Sequence, residues 1–427
     1  MAKIEAKPKT TSKTVLLVAY HFPPFVGSSG LQRTLRFSQH LSDFGWNPVV
    51  LTIDTRAYER INPDAQGNEV SGGVIVSRAF GFDASRHFSL FGHYPRALAL
   101  PDRWATWRLF AVRAGLRLIK EYGVSAIFST FPIATAHQIG FQLSKKSGLP
   151  WIAEFRDPMW QGDYPPDPRQ NSMWRDLESK VFERANGVVV TTPGAVRLYA
   201  SRYSNFARSR IRLIENGYDE EVFVRARDAG SGIKVVDPGE APAFTLLHSG
   251  VVYPSERDPS QLFAALSAMK RRGDISATLL RVLFRASGHD ELLQKQIDES
   301  GISDIVHLEP SIDYLDALRE MIAADGLLVL QASNCNEQVP AKLYEYFRAR
   351  RPILALTDPG GDTATIVRES GAGLIAPLDS QREIESALVS FIRDLDAYKR
   401  RALLVQVDQY SREAKAQQLA HLLDEVS

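Results

Sequence analysis

The sequence predicts an α/β protein of two successive doubly wound domains facing each other across a cleft. Three observations predict it. Short apolar, β-branched runs alternate with stretches of helical spacing, the pattern of a parallel sheet covered on both faces. The alternation breaks once, at a segment rich in Gly, Asp and Pro, and then restarts. The length of 427 residues suits two or three domains at roughly 100–200 residues each. Ligands of such sheets sit outside the carboxyl ends of the strands, so two facing sheets make a natural site for two substrates.

The first half opens with Val15–Ala19 (VLLVA), short and bounded by polar residues, hence a buried strand. A loop from Tyr20 to Gly30 holds prolines and glycines. Leu31, Leu35, Phe37, Leu41 and Phe44 then recur at helical spacing up to a stop at Gly45. Pro48–Ile53 is the next strand and completes a βαβ unit. Segments 125–130, 151–155, 187–192 and 210–215 read as further strands, and 134–146, 175–185 and 194–203 as helices. The composition break places a linker at 218–242. Strands 244–248, 278–285, 305–308, 326–331, 353–356 and 373–375 follow, alternating with helices 259–271, 291–300, 314–323, 341–350 and 363–369. Helices 382–394 and 410–425 close the chain. The expected organisation is a basic, disordered tail (1–13), a first domain (14–217), the linker, a second domain (243–395), and helices (396–427) that cross back to the first domain.

Hydrophobic residues at 44% and charged residues at 24% are ordinary globular usage and argue against disorder or a fibrous repeat. A net charge of +1 argues against a general nucleic-acid binder, and no nucleic-acid partner is expected. The one cysteine, Cys335, allows no intramolecular disulfide, so a cytoplasmic setting is expected. No run approaches the ~18–20 apolar residues that cross a bilayer. The stretch MAKIEAKPKTTSKT lacks the apolar core of a secretory signal. Its lysines suit a solvated tail or a weak tether to anionic lipid.

The strongest chemical signal is Asn336–Tyr346, NEQVPAKLYEY, between the strand GLLVLQ and a helix. Glu337 and Glu345 stand there with seven residues between them. Pro340 suits the first helical position, and the helix N-terminus offers free N–H groups to an anion. A carboxylate one turn into the helix can accept two hydrogen bonds from a ribose diol. One just before the helix can reach a sugar hydroxyl. Glu337 equally suits a surface carboxylate favoured by the helix dipole, and Lys342 a solvated lysine.

This pattern resembles the retaining glycosyltransferases of the two-domain GT-B fold, family 4, whose second domain carries Glu-x7-Glu. The usual Phe-Gly after the first Glu is replaced here by Gln338-Val339. The form Val339-Pro340-x-Lys342-x-x-Glu345-Tyr346 is similar to a polysaccharide-assembly branch. The resemblance implies two Rossmann-like domains, the first for the acceptor and the second for the nucleotide sugar. It puts Glu345 on the nucleotide ribose and makes Glu337, against the donor sugar, a catalytic candidate.

Other segments match in order, over nearly the whole chain. His21-Phe22-Pro23-Pro24, Gly27, Gly30 and Arg33 resemble the family's first loop, where glycines let backbone approach the reaction centre. The same stretch also suits an ordinary βα turn. Glu154–Pro158 resembles the Asp-x-Arg-Asp-Pro segment, which places Arg156 on the acceptor side and makes Asp157 a catalytic candidate; the two equally suit a structural ion pair. Ser129–Pro132 followed by His137 resembles the loop from which members place a histidine near the donor sugar. His21 competes for that role, and a helical His137 also suits a structural one. Glu215–Asp219 resembles the family's hinge. His248-Ser249-Gly250 with Arg257 resembles Gly-x-Leu-x-x-x-Lys, whose glycine backs onto the diphosphate while the cation neutralises the leaving group's growing charge. Lys342 is the second cation.

The resemblance implies transfer with retention from a UDP- or GDP-linked donor to a glycan or lipid-linked acceptor, in cell-surface polysaccharide or glycan assembly. No cofactor beyond the donor substrate is expected. No metal is expected either, since no Asp-x-Asp, His-Glu-x-x-His or Cys pair is placed as metal ligands. A nucleotide-sugar epimerase or a noncatalytic subunit on the same fold are the alternatives. Residues 86–120 interleave Arg86, Arg96, Arg103, Arg108, Arg113, Arg117 and Lys120 with Phe88, Phe91, Trp104, Trp107 and Phe110. Such a segment suits peripheral contact with the inner face of an anionic membrane, and equally a core helix with solvated arginines.

Overall fold

The computed structural model describes residues 13–26, 30–62, 74–89, 93–94, 99–162, 164–228 and 244–427. The chain divides into two compact units, Met1–Asn216 with Arg412–Ser427, and Gly217–Ser411.

The first unit runs β1 (Lys13–Val18), α1 (Gly30–His40), β2 (Trp46–Ile53), β3 (Ile75–Ala79), α2 (Ala84–His87), α3 (Trp107–Glu121), β4 (Val124–Thr130), α4 (Ala134–Ser147), β5 (Trp151–Phe155), α5 (Pro168–Arg184), β6 (Gly187–Val190), α6 (Pro193–Arg202) and β7 (Ile211–Leu213). Its seven strands lie in the order β3-β2-β1-β4-β5-β6-β7, and every neighbouring pair is parallel. β1 is apolar from Val15 to Val18 because both of its faces are covered there. Leu16 and Val18 enter the core under α3 and α4, while Val15 and Leu17 enter the core on the α1 side. α5 starts earlier than its apolar spacing suggests. Asp167 caps it, accepting from Arg169 N (2.9 Å) and Gln170 N (3.0 Å), with Pro168 at the first position.

The second unit runs α7 (Glu220–Asp228), β8 (Phe244–Ser249), α8 (Ser260–Arg272), β9 (Leu280–Arg285), α9 (Asp290–Glu299), β10 (Val306–Glu309), α10 (Tyr314–Ala323), β11 (Gly326–Gln331), α11 (Lys342–Ala349), β12 (Ile353–Thr357), α12 (Asp362–Ser370), β13 (Gly373–Ala376), α13 (Gln381–Arg393) and α14 (Leu395–Leu404). Its six strands are parallel in the order β10-β9-β8-β11-β12-β13. In each unit the strand order reverses beside the first strand, between β1 and β4 and between β8 and β11. These reversals are where a doubly wound sheet opens a crevice for ligand.

Two boundaries differ from the sequence reading. The expected linker 218–242 is in part folded: Tyr218 and the Val222, Phe223 and Ala226 stripe of α7 are core residues of the second unit. The remainder, 229–242, lies outside the described residues, as do residues 1–12 of the expected tail. The last helix, α15 (Arg412–Val426), belongs to the first unit and packs Ala416, Leu419, Ala420 and Leu423 against Leu35 and Phe37 of α1. Residues 396–411 stay with the second unit. No described helix is long and apolar enough to cross a membrane.

Candidate functional site

In the second unit, the loops after β8 and β11 meet at the strand-order reversal. Ala332 N donates to Glu256 O (2.7 Å) and Asn334 Nδ2 to Ser255 O (3.0 Å). Gly250 follows β8 with φ at +115°, a conformation that disfavours any side chain. The space a side chain would fill is taken by Lys342: a Cβ on Gly250 would stand 2.9 Å from Lys342 Nζ. Lys342 Nζ lies 3.3 Å from His248 Nε2. Burial first, then the nearby Arg257 charge, lowers the lysine to about 7, while Glu345 acts the other way. Arg257 folds back on its own loop, donating to Val251 O (2.5 Å) and covering the Tyr253 ring.

Glu345 sits in the first turn of α11, and its Oε1 accepts from Tyr314 Oη of α10 at 2.7 Å. Glu337 is exposed on the loop before α11. That loop is pinned from beneath. Gln331 Nε2 donates to Cys335 O (2.8 Å) and Gln338 O (3.0 Å), and Asn336 Nδ2 donates to Asp358 Oδ2 (2.6 Å). Pro340 is not the first helical residue: α11 begins at Lys342 after an Ala341 cap, and Pro340 O accepts from Leu343 N at 2.9 Å. The second unit thus gathers Gly250, Arg257, Lys342, Glu345 and the Glu337 loop at the carboxyl ends of its two central strands, β8 and β11. A phosphate-sized anion and a diol are what such a set can bind.

In the first unit, His21, Gly30 and Arg156 come together outside β1 and β5. Arg156 Nε donates to Phe131 O (2.6 Å), and its Nη2 lies 3.4 Å from His21 Nδ1. Burial and then the Arg156 charge push His21 down to about 3, so it is neutral at ordinary pH. Gly30 touches the guanidinium face: a Cβ there would lie 1.7 Å from Arg156 Nη1. Asp157 follows on the exposed turn. Desolvation raises its pKa, and Arg156 pulls it back. Gly27 lies outside the described residues.

Two first-unit candidates are corrected. Arg33 does not face a ligand. It is 7% exposed, with Nε on Glu154 Oε1 (2.8 Å) and its other nitrogens on the carbonyl oxygens of Glu215 and Ile214 (2.7 Å each). All the guanidinium's reach is spent inside the unit. His137 is fully buried in the first turn of α4, where its Nδ1 pairs with Ser129 Oγ (2.8 Å) and its ring meets Phe131, Trp151 and Phe155. Desolvation drives its pKa down to about 3. It is a core residue, leaving His21 as the histidine at the sheet edge.

Sequence reasoning missed Tyr314, which stands at no motif position, and gave no role to Tyr346, which ends the Val-Pro-x-Lys-x-x-Glu-Tyr form. The basic and aromatic segment is mixed. Trp107, Ala111 and Leu118 of α3 face the core, Arg103 pairs with Asp83 and Glu59, and Leu109 and Phe110 are exposed. Phe91 and Arg96 lie outside the described residues. Among the described residues, no group of three or more His, Cys, Asp or Glu is arranged to hold a metal ion.

Residues 30–217 match the glycosyl transferase 4-like domain. No curated protein matches the chain. Solved structures align over nearly all of it. Sucrose-phosphate synthase from Thermosynechococcus elongatus is 16% identical with a TM-score of 0.66, covering 97% of this chain and 98% of that one. Anabaena HepE, solved in complex with UDP-glucose, is 14% identical with a TM-score of 0.66, covering 97% and 99%. A UDP-N-acetylglucosamine 2-epimerase is 12% identical with a TM-score of 0.56, covering 96% and 95%. At these identities the likeness shows the fold, two Rossmann-like domains of the GT-B type.

Proposed function

We propose, from the domain match and the fold, a GT4-type glycosyltransferase that moves a sugar with retention from a nucleotide sugar to a glycan or lipid-linked acceptor. One observation carries the donor reading: the Lys342 ammonium rests against Gly250, and Glu345, one turn along the same helix, is held by Tyr314. A cation and a carboxylate on one helix suit the two ends of a nucleoside diphosphate, its phosphates and its ribose diol. Lys342 and Arg257 stabilise the charge that develops on the leaving diphosphate, while Glu337 serves the donor sugar. The acceptor hydroxyl attacks from the face that the diphosphate leaves, and a donor phosphate oxygen takes its proton. In the first unit, His21, Gly30 and Arg156 serve the acceptor.

The UDP-glucose bound to HepE favours a UDP-linked donor, with GDP next. Polysaccharide or glycan assembly at the inner face of a membrane fits the exposed Leu109 and Phe110 beside the arginines of α3. A thermal-shift panel of nucleoside diphosphates and nucleotide sugars tests the donor site. Ligand at ~100 times its dissociation constant adds about 2.7 kcal/mol, a shift of a few degrees. A shift with one nucleotide that is lost in Glu345→Ala supports the reading, and no shift in folded protein removes it. The 2-epimerase likeness favours a second reading, epimerisation at the same site. Product analysis separates the two: conversion of the nucleotide sugar to an isomer without acceptor would replace transfer by epimerisation.

A further inference from the structure

His248 stands next to last in β8 and is 1% exposed. Its Nδ1 lies 3.0 Å from the Leu328 carbonyl oxygen, which accepts and does not donate. The Gly250 carbonyl also faces the ring, but Leu328 O holds the closer contact, which assigns the proton to Nδ1 and leaves Nε2 a lone pair. That lone pair faces Lys342 Nζ at 3.3 Å. We propose that His248 is a positioning residue for donor binding: its neutral imidazole accepts a hydrogen bond from Lys342 and seats that ammonium beside Gly250, where a nucleoside diphosphate would lie. This inference deepens the donor-site reading and rests on it.

Two further contacts hold the seat. Ser249 N donates to Tyr346 Oη at 3.0 Å, tying the strand end to α11. Gly250 leaves the space that Nζ fills. The charged and titratable groups facing Lys342 are His248 from β8, Arg257 from the next loop and Glu345 from α11 itself. With the lysine lowered to about 7, an arriving diphosphate meets a partly deprotonated amine near neutrality and draws a proton onto it. Burial first, then the Lys342 charge, keeps His248 itself neutral.

Isothermal titration with UDP and with GDP between about pH 6 and 9, in buffers of different ionisation enthalpy, reads affinity and proton uptake together. Wild type is expected to lose affinity above a midpoint of about 7 and to take up protons there. Lys342→Met is expected to bind weakly at every pH. His248→Leu is expected to bind about tenfold more weakly, the worth of one hydrogen bond to a charged group. Its midpoint moves to lower pH, because the ammonium has lost its acceptor. His248→Gln, whose amide oxygen can accept, restores most of both. A merely structural histidine would lower the melting temperature and leave the midpoint in place.

Wild-type affinity and midpoint in folded His248→Leu overturn the proposal. If that variant does not fold, nitrogen-15 NMR of histidine-labelled wild type decides. An Nδ1-protonated tautomer whose Nε2 signal follows the Lys342 titration, a dependence absent in Lys342→Met, supports the proposal. An Nε2-protonated tautomer overturns it. Failure of folded wild type to bind either nucleotide overturns the donor-site reading and this inference with it. Binding with an unmoved midpoint overturns this inference alone.

Discussion

Tyr314 of α10 donates a 2.7 Å hydrogen bond to Glu345 of α11, so the carboxylate proposed for the ribose is aimed by a phenol from the neighbouring helix. Tyr314→Phe should weaken UDP binding by about five- to tenfold, the net worth of one hydrogen bond that orients the carboxylate. Glu345→Ala should weaken it further, because the ribose loses its acceptor. Calorimetric titration measures both, and an unchanged affinity in Glu345→Ala would remove the ribose role.

Glu337 should behave differently. It stands on the exposed, pinned loop ahead of the helix and is proposed to meet the sugar rather than the nucleotide. Glu337→Ala is expected to leave the UDP dissociation constant nearly unchanged and to lower kcat by about tenfold or more. Equal losses of affinity in Glu337→Ala and Glu345→Ala would contradict this division.

Gly30 is required by close approach. A methyl group there would stand 1.7 Å from Arg156 Nη1 and 2.5 Å from its Cζ, so Gly30→Ala must push the guanidinium away from His21 and Phe131. Transfer is expected to fall at least tenfold, through kcat/KM for the acceptor, since an ångström of misplacement can cost far more than that. UDP affinity should not change. Normal transfer by Gly30→Ala would show that Arg156 has no part in it.

Arg33→Met should destabilise the first unit by about 3–5 kcal/mol, because Glu154 is left buried without its counter-ion. All 6 tryptophans belong to the first unit, so tryptophan fluorescence during urea unfolding reports on it directly. A loss under about 1 kcal/mol would mean the pair behaves as an exposed one.

Stability should fall as pH drops below neutral. His137 has its pKa lowered from 6.5 to about 3 in the fold. Between those values the unfolded chain binds a proton that the folded chain does not, so the unfolded state gains as pH falls. At about pH 5.5 this amounts to about 1.4 kcal/mol for such a histidine. His137→Gln should reduce the slope of stability against pH by up to one proton. An unchanged slope would mean that His137 titrates as an exposed histidine does.

The strands and most helices were legible because their signals are local. GLLVLQ and WIAEF coincide with β11 and β5 to the residue, since a strand buried on both faces is mostly apolar, Glu154 being carried by its Arg33 partner. β3 escaped notice as an edge strand, with most of its residues only partly buried. α7 was hidden by a charged sequence whose only apolar stripe is Val222, Phe223 and Ala226. In the candidate site, Gly30, Gly250 and Glu345 stood out as candidates from motif spacing. Tyr314 and the seat made by His248 did not, because their partners lie on other strands and helices.

By itself the sequence determined the alternating α/β architecture and named the candidate loops, because turn residues and apolar runs act within a few positions of themselves. Only the tertiary structure decided which charges those loops still offer. Arg33 and Arg156 read alike as arginines beside a conspicuous loop. Folding buries Arg33 against Glu154 and sets Arg156 beside His21 and Gly30. The same holds for the histidines: burial among Phe131, Trp151 and Phe155 withdraws His137, while a carbonyl of a neighbouring strand sets the tautomer of His248. Availability of a charge depends on desolvation and on partners distant in sequence, and those exist only once the sheets have formed.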